Sequence, residues 1–394
     1  MAETHGTCEP KFQGVRDKFS ELLGSGVELG ACLTVTIDGE DVVNLWGGYA
    51  DANRTRPWKK DTIVNVFSTT KTICALAGLI LINEGEVSPH DKVSKYWPEF
   101  AANGKENVEV RHLLSHSSGV AAFEDPITLQ QMCDSYEEVI SRLEKQPARW
   151  EPGTKSGYHA WTYGYLIGEL VRRKTGLTLT EFVSQRIAGP LGADMQIGAK
   201  EKDWPRVAEL IPPPAPPAHI MPEQDEDPDS LKHKMLHPFP DPSFANTEPW
   251  KKAEIAAANG HSNSKALATI WSKYLTIGDE SKRLLSQKTI DLIYNEQTYG
   301  PDLCMGFPVR YGIGMGLRGN GNTPVDSWFP EGKICFWGGW GGSMLINDLD
   351  RRITIAYAMN KMSLGSAGNE AVYAYVAEIY KALGVPVGTP NGQA

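Results

Sequence analysis

No apolar run in this 394-residue chain approaches the ~18 residues that a bilayer-spanning helix needs, so no membrane span is expected. Basic residues are outnumbered. Thirty-nine Lys and Arg stand against 48 Asp and Glu, a net charge of −9, which argues against nucleic acid and anionic membrane surfaces as partners. Cysteine is scarce and scattered at Cys8, Cys32, Cys74, Cys133, Cys304 and Cys335, with no Cys-x-x-Cys pair. Reduced thiols are expected, not a disulfide framework or a zinc site. The first residues, Met1 to Gly6, carry neither a basic cluster nor an apolar core. No secretory leader is expected, and the location read from the chain is cytoplasmic. The sequon Asn53-Arg54-Thr55 is then silent. Gly-x-Ser-x-Gly is absent as well, which removes the nucleophile elbow of α/β-hydrolases.

What is present is ordinary soluble composition, 41% apolar and 22% charged, in a chain long enough for one large two-part enzyme or two domains. Apolar residues at Phe12, Val15, Phe19, Leu22 and Leu23 predict an amphipathic helix closed by Gly24. Residues 31–38 and 41–49 flank Gly39-Glu40 and predict a β-hairpin. From Pro89 to about residue 264 the patterns are mostly helix and loop. One helix is expected from Leu129 to Leu143, another from Trp161 to Thr175 and a third from Thr180 to Ile187. Strands return at 334–337, 343–347 and 352–360, followed by a last helix through Val372, Val376, Ile379, Tyr380 and Leu383. Strands at both ends and helices between predict one sheet built from both termini with a helical insertion. The division is residues 1–88 with 265–394 against 89–264. The Pro-rich, acidic stretch 211–242 cannot be a regular helix or a central strand and is expected to be a loop that covers substrate.

The chemistry centres on Ser68-Thr69-Thr70-Lys71, ahead of the apolar run Ile73 to Ile82. If that run is a helix, serine and lysine sit one turn apart on one face at its start. Serine needs a base to become a nucleophile. Lysine becomes a base only when burial and positive surroundings lower its pKa. A buried helix start provides low dielectric and a dipole end that disfavours an ammonium and favours an oxyanion. Ser-x-x-Lys alone is also what an N-cap with a surface lysine looks like, so further patterns matter.

Tyr158 follows Pro152-Gly153-Thr154 on a loop before a helix. A phenol there can reach the serine, and beside an ammonium its pKa is expected to fall, so that it shuttles a proton to a leaving group. Between two strands, Phe336-Trp337-Gly338-Gly339-Trp340-Gly341-Gly342-Ser343 lets backbone or ligand approach closely, and a strand-edge N–H can complete an oxyanion hole. His112 and His116 stand at i, i+4 without a following Glu, so a structural role is expected rather than a metal site.

Ser68-x-x-Lys71, Val110-Arg111-His112-Leu113-Leu114-Ser115-His116-Ser117-Ser118-Gly119, Pro152-Gly153-Thr154 with Tyr158, and Trp337-Gly338-Gly339 together resemble the serine β-lactamase-like superfamily. Within it they most resemble the class C-like (family VIII) carboxylesterases, over about residues 20–385. The resemblance implies a β-lactamase/penicillin-binding-protein-like fold, α/β plus all-α, with an antiparallel sheet flanked by helices. It implies Ser68 as nucleophile, Lys71 and Tyr158 as acid/base partners, and the N–H groups of Ser68 and Trp340 as the oxyanion hole. Trp337, Gly338, Gly339 and His159 become substrate-binding residues, with no metal and no cofactor. Two departures stand out. Tyr158-His159-Ala160 replaces the lactamase Tyr-x-Asn, and Trp337-Gly338-Gly339 replaces Lys-Thr-Gly. Loss of the Asn amide and of the Lys that helps bind a lactam carboxylate favours a small-molecule ester over a β-lactam. The expected reaction is ester hydrolysis through an acyl-enzyme. The alternatives are an acyltransferase like those that attach the side chain of statin-type polyketides, a β-lactamase or peptidase, and a non-catalytic binding protein on the same fold.

Overall fold

The computed structural model describes residues 3–213, 227–239, 241–364 and 367–387. Twelve strands are found among them: β1 (Thr4–Cys8), β2 (Gly30–Ile37), β3 (Glu40–Gly48), β4 (Val64–Asn65), β5 (Gln196–Ile197), β6 (Gly260–Ser262), β7 (Thr298–Pro301), β8 (Pro308–Tyr311), β9 (Gly316–Leu317), β10 (Ile334–Gly338), β11 (Met344–Asp348) and β12 (Ile353–Met359). Nine of them form one sheet in the order β1-β3-β2-β12-β11-β10-β9-β8-β7, with antiparallel pairing throughout. β12 runs beside β2 from Ile353 opposite Ile37 to Met359 opposite Ala31, so the sheet is built from both ends of the chain, as the strand pattern predicts.

Central strands are covered on both faces, which is why β2 and β12 read as nearly continuous β-branched and apolar runs instead of alternating. On one face the helices Gln13–Ser25 and Glu370–Leu383 pack together, with the Phe19 and Tyr375 rings 5.7 Å apart and Tyr375 against Tyr357 of β12. On the other, the helix Ser264–Trp271 lies over Thr34 of β2, whose hydroxyl meets that of Ser264 at 2.9 Å. The helix Thr70–Asn83 is buried at every residue from Thr70 to Leu81, so it carries apolar side chains all round instead of a single stripe. It packs against the helix Thr162–Thr175, and both share one core with the sheet. A second, three-stranded sheet in the order β4-β6-β5 ties the lead-in to Ser68 to the middle of the chain.

Several elements differ from the sequence expectation. β1 is an edge strand with one covered face, and β7–β9 contain Gly300, Pro301, Pro308 and Gly316; neither pattern reads as strand from composition. The expected helix 129–143 is two helices, Leu129–Asp134 and Tyr136–Lys145. Ser135 joins them and caps the second by accepting the Glu138 N–H. Within the expected loop 211–242, residues 214–226 and 240 lie outside the described residues. Leu231–Leu236 is a short helix capped by Ser230, so that part of the stretch is not a plain loop. We propose to divide the chain as 1–88 with 265–394, the sheet domain, and 89–264, the helical domain. Among the described residues, no helix is long and apolar enough to cross a membrane.

Candidate active site

Ser68 is half-buried in a tight helical turn, Phe67–Thr69, that leads into the helix Thr70–Asn83. The residue before it, Phe67, takes φ 41°, a strained conformation for a bulky side chain. Its ring is buried and held 5.3 Å from Trp340 and 6.2 Å from Trp250. Two further ties fix the turn. Asn65 donates to the carbonyls of Ala258 and Gly260. Ser343 donates to Val66 O at 2.9 Å and shares a hydrogen bond with Thr69. The end of β10 is thereby drawn against the turn: a Cβ on Gly339 would stand 2.2 Å from Val66 O, so only glycine fits.

Lys71 is 1% exposed, and its Nζ lies 2.8 Å from Ala160 O, 2.9 Å from Ala257 O and 3.1 Å from Ser68 Oγ. Burial pulls its pKa down to about 7. A neutral amine has two N–H bonds and one lone pair. The two carbonyls occupy both N–H bonds, which leaves the lone pair for the Ser68 proton. Tyr158 donates its phenol to Ser68 Oγ at 2.7 Å, and the Lys71 Nζ lies 4.9 Å from the centre of the tyrosine ring. The three side chains predicted from sequence are therefore brought together in one hydrogen-bonded unit.

One expectation about Tyr158 is overturned. Its pKa is raised, not lowered, because burial outweighs its hydrogen bonds with Ser68 and Trp337. Lys71, with a pKa of about 7, has lost its charge well below the pH at which a phenol titrates, so no ammonium faces the ring to pull it down. Tyr158 can thus donate a proton as a phenol, and Lys71 in its neutral form can accept one.

The oxyanion-hole candidates are Ser68, in the turn before the helix, and Trp340, after the end of β10. Among the described residues, the N–H groups of Ser68 and Trp340 meet no acceptor. Trp337 forms a wall, its ring stacked at 5.1 Å and 13° on His116 and 6.0 Å from Tyr158. Gly338 borders the cleft beside it. Gly339 faces the Ser68 turn and not a ligand. His159 is placed differently from the expectation. It is fully buried, with one ring nitrogen 2.6 Å from Ser118 Oγ and the other 2.6 Å from Gly157 O. Both nitrogens are engaged by protein groups, so it supports the Tyr158 loop from beneath and does not contact substrate. Phe239, 62% exposed, meets Trp340 edge-on at 5.9 Å, which brings one end of the 211–242 stretch to the mouth of the cleft.

Other participants left little trace in the sequence. Asp302 Oδ1 accepts the N–H groups of Tyr158, Cys304 and Met305 at 2.9–3.0 Å and so anchors the tyrosine loop. Its signal is an Asp opening a turn, one among many. His116 takes φ 58°, accepts the His159 N–H at Nδ1 and is ringed by Tyr158, Tyr163, Tyr311 and Trp337. Its partner histidine, His112, accepts the Glu109 N–H as part of a helix cap. Among the described residues no three His, Cys, Asp or Glu side chains gather as metal ligands.

A beta-lactamase family profile matches residues 15–378. The chain belongs to the beta-lactamase family. Among curated proteins it is 29% identical over 372 residues to the esterase/beta-lactamase LipL of Mycobacterium tuberculosis (strain ATCC 25618 / H37Rv), covering 91% of this chain and 83% of LipL. It is 28% identical over 162 residues to the ML-236A carboxylate methylbutanoyltransferase mlcH of Penicillium citrinum, covering 36% of this chain and 39% of that one. The crystal structure of a family VIII carboxylesterase superposes with a TM-score of 0.87 at 33% identity, over 96% of this chain and all of that one. The resemblance read from Ser68-x-x-Lys71, Tyr158 and Trp337-Gly338-Gly339 thus extends over nearly the whole beta-lactamase-family chain.

Proposed function

We propose that this chain is a serine carboxylesterase that works through an acyl-enzyme on Ser68. Ser68 Oγ attacks the ester carbonyl while Lys71 takes its proton. The N–H groups of Ser68 and Trp340 receive the oxyanion. Tyr158 gives its proton to the departing alkoxide and recovers one from the Lys71 ammonium. Water then repeats the sequence in reverse to release the acid. The reaction needs no cofactor. The observation that carries this reading is the hydrogen bonding of Lys71, whose two carbonyl partners leave its lone pair for Ser68. The named esterase relative and the carboxylesterase neighbour support the same reaction class.

Trp337 and Ala160 stand where a β-lactam would need a cation and an amide, which favours small-molecule esters over lactams. A second reading, acyl transfer to an alcohol instead of water, is favoured by the similarity to mlcH, which is named as a methylbutanoyltransferase. Water access decides between the two, and product analysis with and without an acceptor alcohol separates them. The six cysteines are free thiols, and on that ground we place the enzyme in the cytoplasm.

The direct test is hydrolysis of p-nitrophenyl butyrate by the wild type and by Ser68→Ala. The variant is expected to lose at least about a thousandfold in kcat/KM, as removal of a nucleophile does elsewhere. Equal rates for the two proteins would remove Ser68 from the mechanism.

A further inference from the structure

We propose that an apolar groove beside Tyr158 is the subsite for the alcohol half of the ester and selects alcohols with an apolar chain. This rests on the esterase reading above. The groove has a cavity volume of about 100 Å³ and is walled by Tyr158, Trp337 and Gly338, with Phe307, Pro308, Val309, Leu317, Val325 and Phe336 along it. The one charged side chain on its wall is Arg310. That guanidinium is already engaged: it donates to Glu296 at 2.8 Å and to Arg318 O at 3.0 Å, and lies against the Tyr299 ring. The groove therefore offers a place for hydrocarbon and no free charge for a carboxylate, a phosphate or an ammonium.

Geometry assigns it to the alcohol and not to the acyl chain. In the tetrahedral intermediate the carbon bears Ser68 Oγ, the oxyanion, the acyl chain and the alkoxy oxygen. When the carbon–alkoxy bond breaks, both electrons leave with the oxygen, which takes the phenol proton of Tyr158. The Lys71 ammonium, holding the proton taken from Ser68, restores that of Tyr158. The departing oxygen must lie within hydrogen-bond reach of the Tyr158 phenol, which is 2.7 Å from Ser68 Oγ, and Tyr158 is one of the residues that wall the groove. Ser68 and Trp340, which face the oxyanion, are not among its walls. A groove walled by Tyr158 and not by Ser68 or Trp340 therefore takes the alcohol.

Two ester series test this. In one the acid is acetate and the alcohol grows from ethyl to octyl; in the other the alcohol is ethyl and the acid grows from acetate to octanoate. Each methylene added to the alcohol is expected to raise kcat/KM about fourfold until the groove is filled, the gain for burying one such group. Val309→Trp, at a partly buried position on β8, narrows the groove. It should lower the hexyl-to-ethyl acetate ratio at least about tenfold and leave the ethyl hexanoate-to-acetate ratio within about twofold. Val325→Ala widens the groove and should raise the octyl-to-hexyl acetate ratio severalfold, which keeps the test intact if the tryptophan variant does not fold. A collapse of the acyl ratio in place of the alcohol ratio overturns the assignment, and so does an unchanged alcohol ratio in folded variants. If neither series is turned over faster than by Ser68→Ala, the esterase reading itself falls.

Discussion

Lys71 links activity and stability to pH in a way that can be worked out from its surroundings. Folding moves its pKa from 10.5 to about 7 because the side chain leaves water. The base form is then half-populated at about pH 7, and two units lower about one molecule in a hundred carries it. The kcat/KM for a neutral ester should accordingly rise through a single ionisation near pH 7, fall about a hundredfold by pH 5, and stay level to pH 9 because Tyr158 is pushed up and not down. Stability follows with a definite sign. Between pH 7 and pH 10.5 the unfolded lysine holds a proton that the folded one has lost, so stability rises with pH in that window. The shift corresponds to about 4 kcal/mol of destabilisation at pH 7 and about 2 kcal/mol at pH 9. Lys71→Met abolishes that term but strands the carbonyls of Ala160 and Ala257, at about 1–3 kcal/mol each. The two effects nearly offset at pH 7, so the informative quantity is the change with pH. In urea titrations at pH 7 and pH 9, the wild type should gain about 2 kcal/mol relative to Lys71→Met. A stability difference that does not move with pH, or a pH–rate profile without an acid limb between pH 6 and 8, would refute the assignment of Lys71 as a neutral buried base.

The residues that sequence reasoning could reach are those whose role depends on near neighbours. Ser68 and Lys71 are one helical turn apart, and the apolar run after them buries the lysine. Tyr158 stands at a loop-to-helix junction, and the glycines after Trp337 mark a close approach that Gly339 makes against Val66 O. What sequence could not show is what holds these groups. Lys71 is held in place by two backbone carbonyls, and every residue has one, so nothing in Ala160 or Ala257 announces the task. His159 was misplaced because adjacency to Tyr158 says nothing about which side of the loop a ring takes; Ser118 and Gly157 turn it inward. The phenol pKa was misjudged for a related reason. An exposed Lys71 would face the phenol as a charge, whereas the burial that lets Lys71 act as a base also removes that charge. Strands β7–β9 escaped because glycine and proline in short strands look like loop, yet β8 and β9 carry much of the groove beside Tyr158.

Two further perturbations separate the packing of the site from its electrostatics. Gly339→Ala would place its Cβ 2.2 Å from Val66 O and 2.4 Å from Ser343 Oγ, forcing the end of β10 away from the Ser68 turn. A melting curve should show a loss of about 1–3 kcal/mol, and kcat should fall more than tenfold; unchanged values for both would mean that this contact does not position Ser68. Glu28, near the start of the chain, is buried where Tyr357 and Tyr375 donate to its Oε1, and burial raises its pKa to about 7. A raised carboxyl contributes stability that is complete below pH 4.5 and is lost as pH rises through 7, a difference of about 3 kcal/mol. Glu28→Gln stays neutral and should therefore exceed the wild type by up to that amount in urea titrations at pH 8, with the gap closing toward pH 4.5; a gap independent of pH would show that Glu28 is already ionised in the fold. Its window ends where that of Lys71 begins, so these two buried groups together depress stability most near neutrality, the pH at which Lys71 first becomes available as a base.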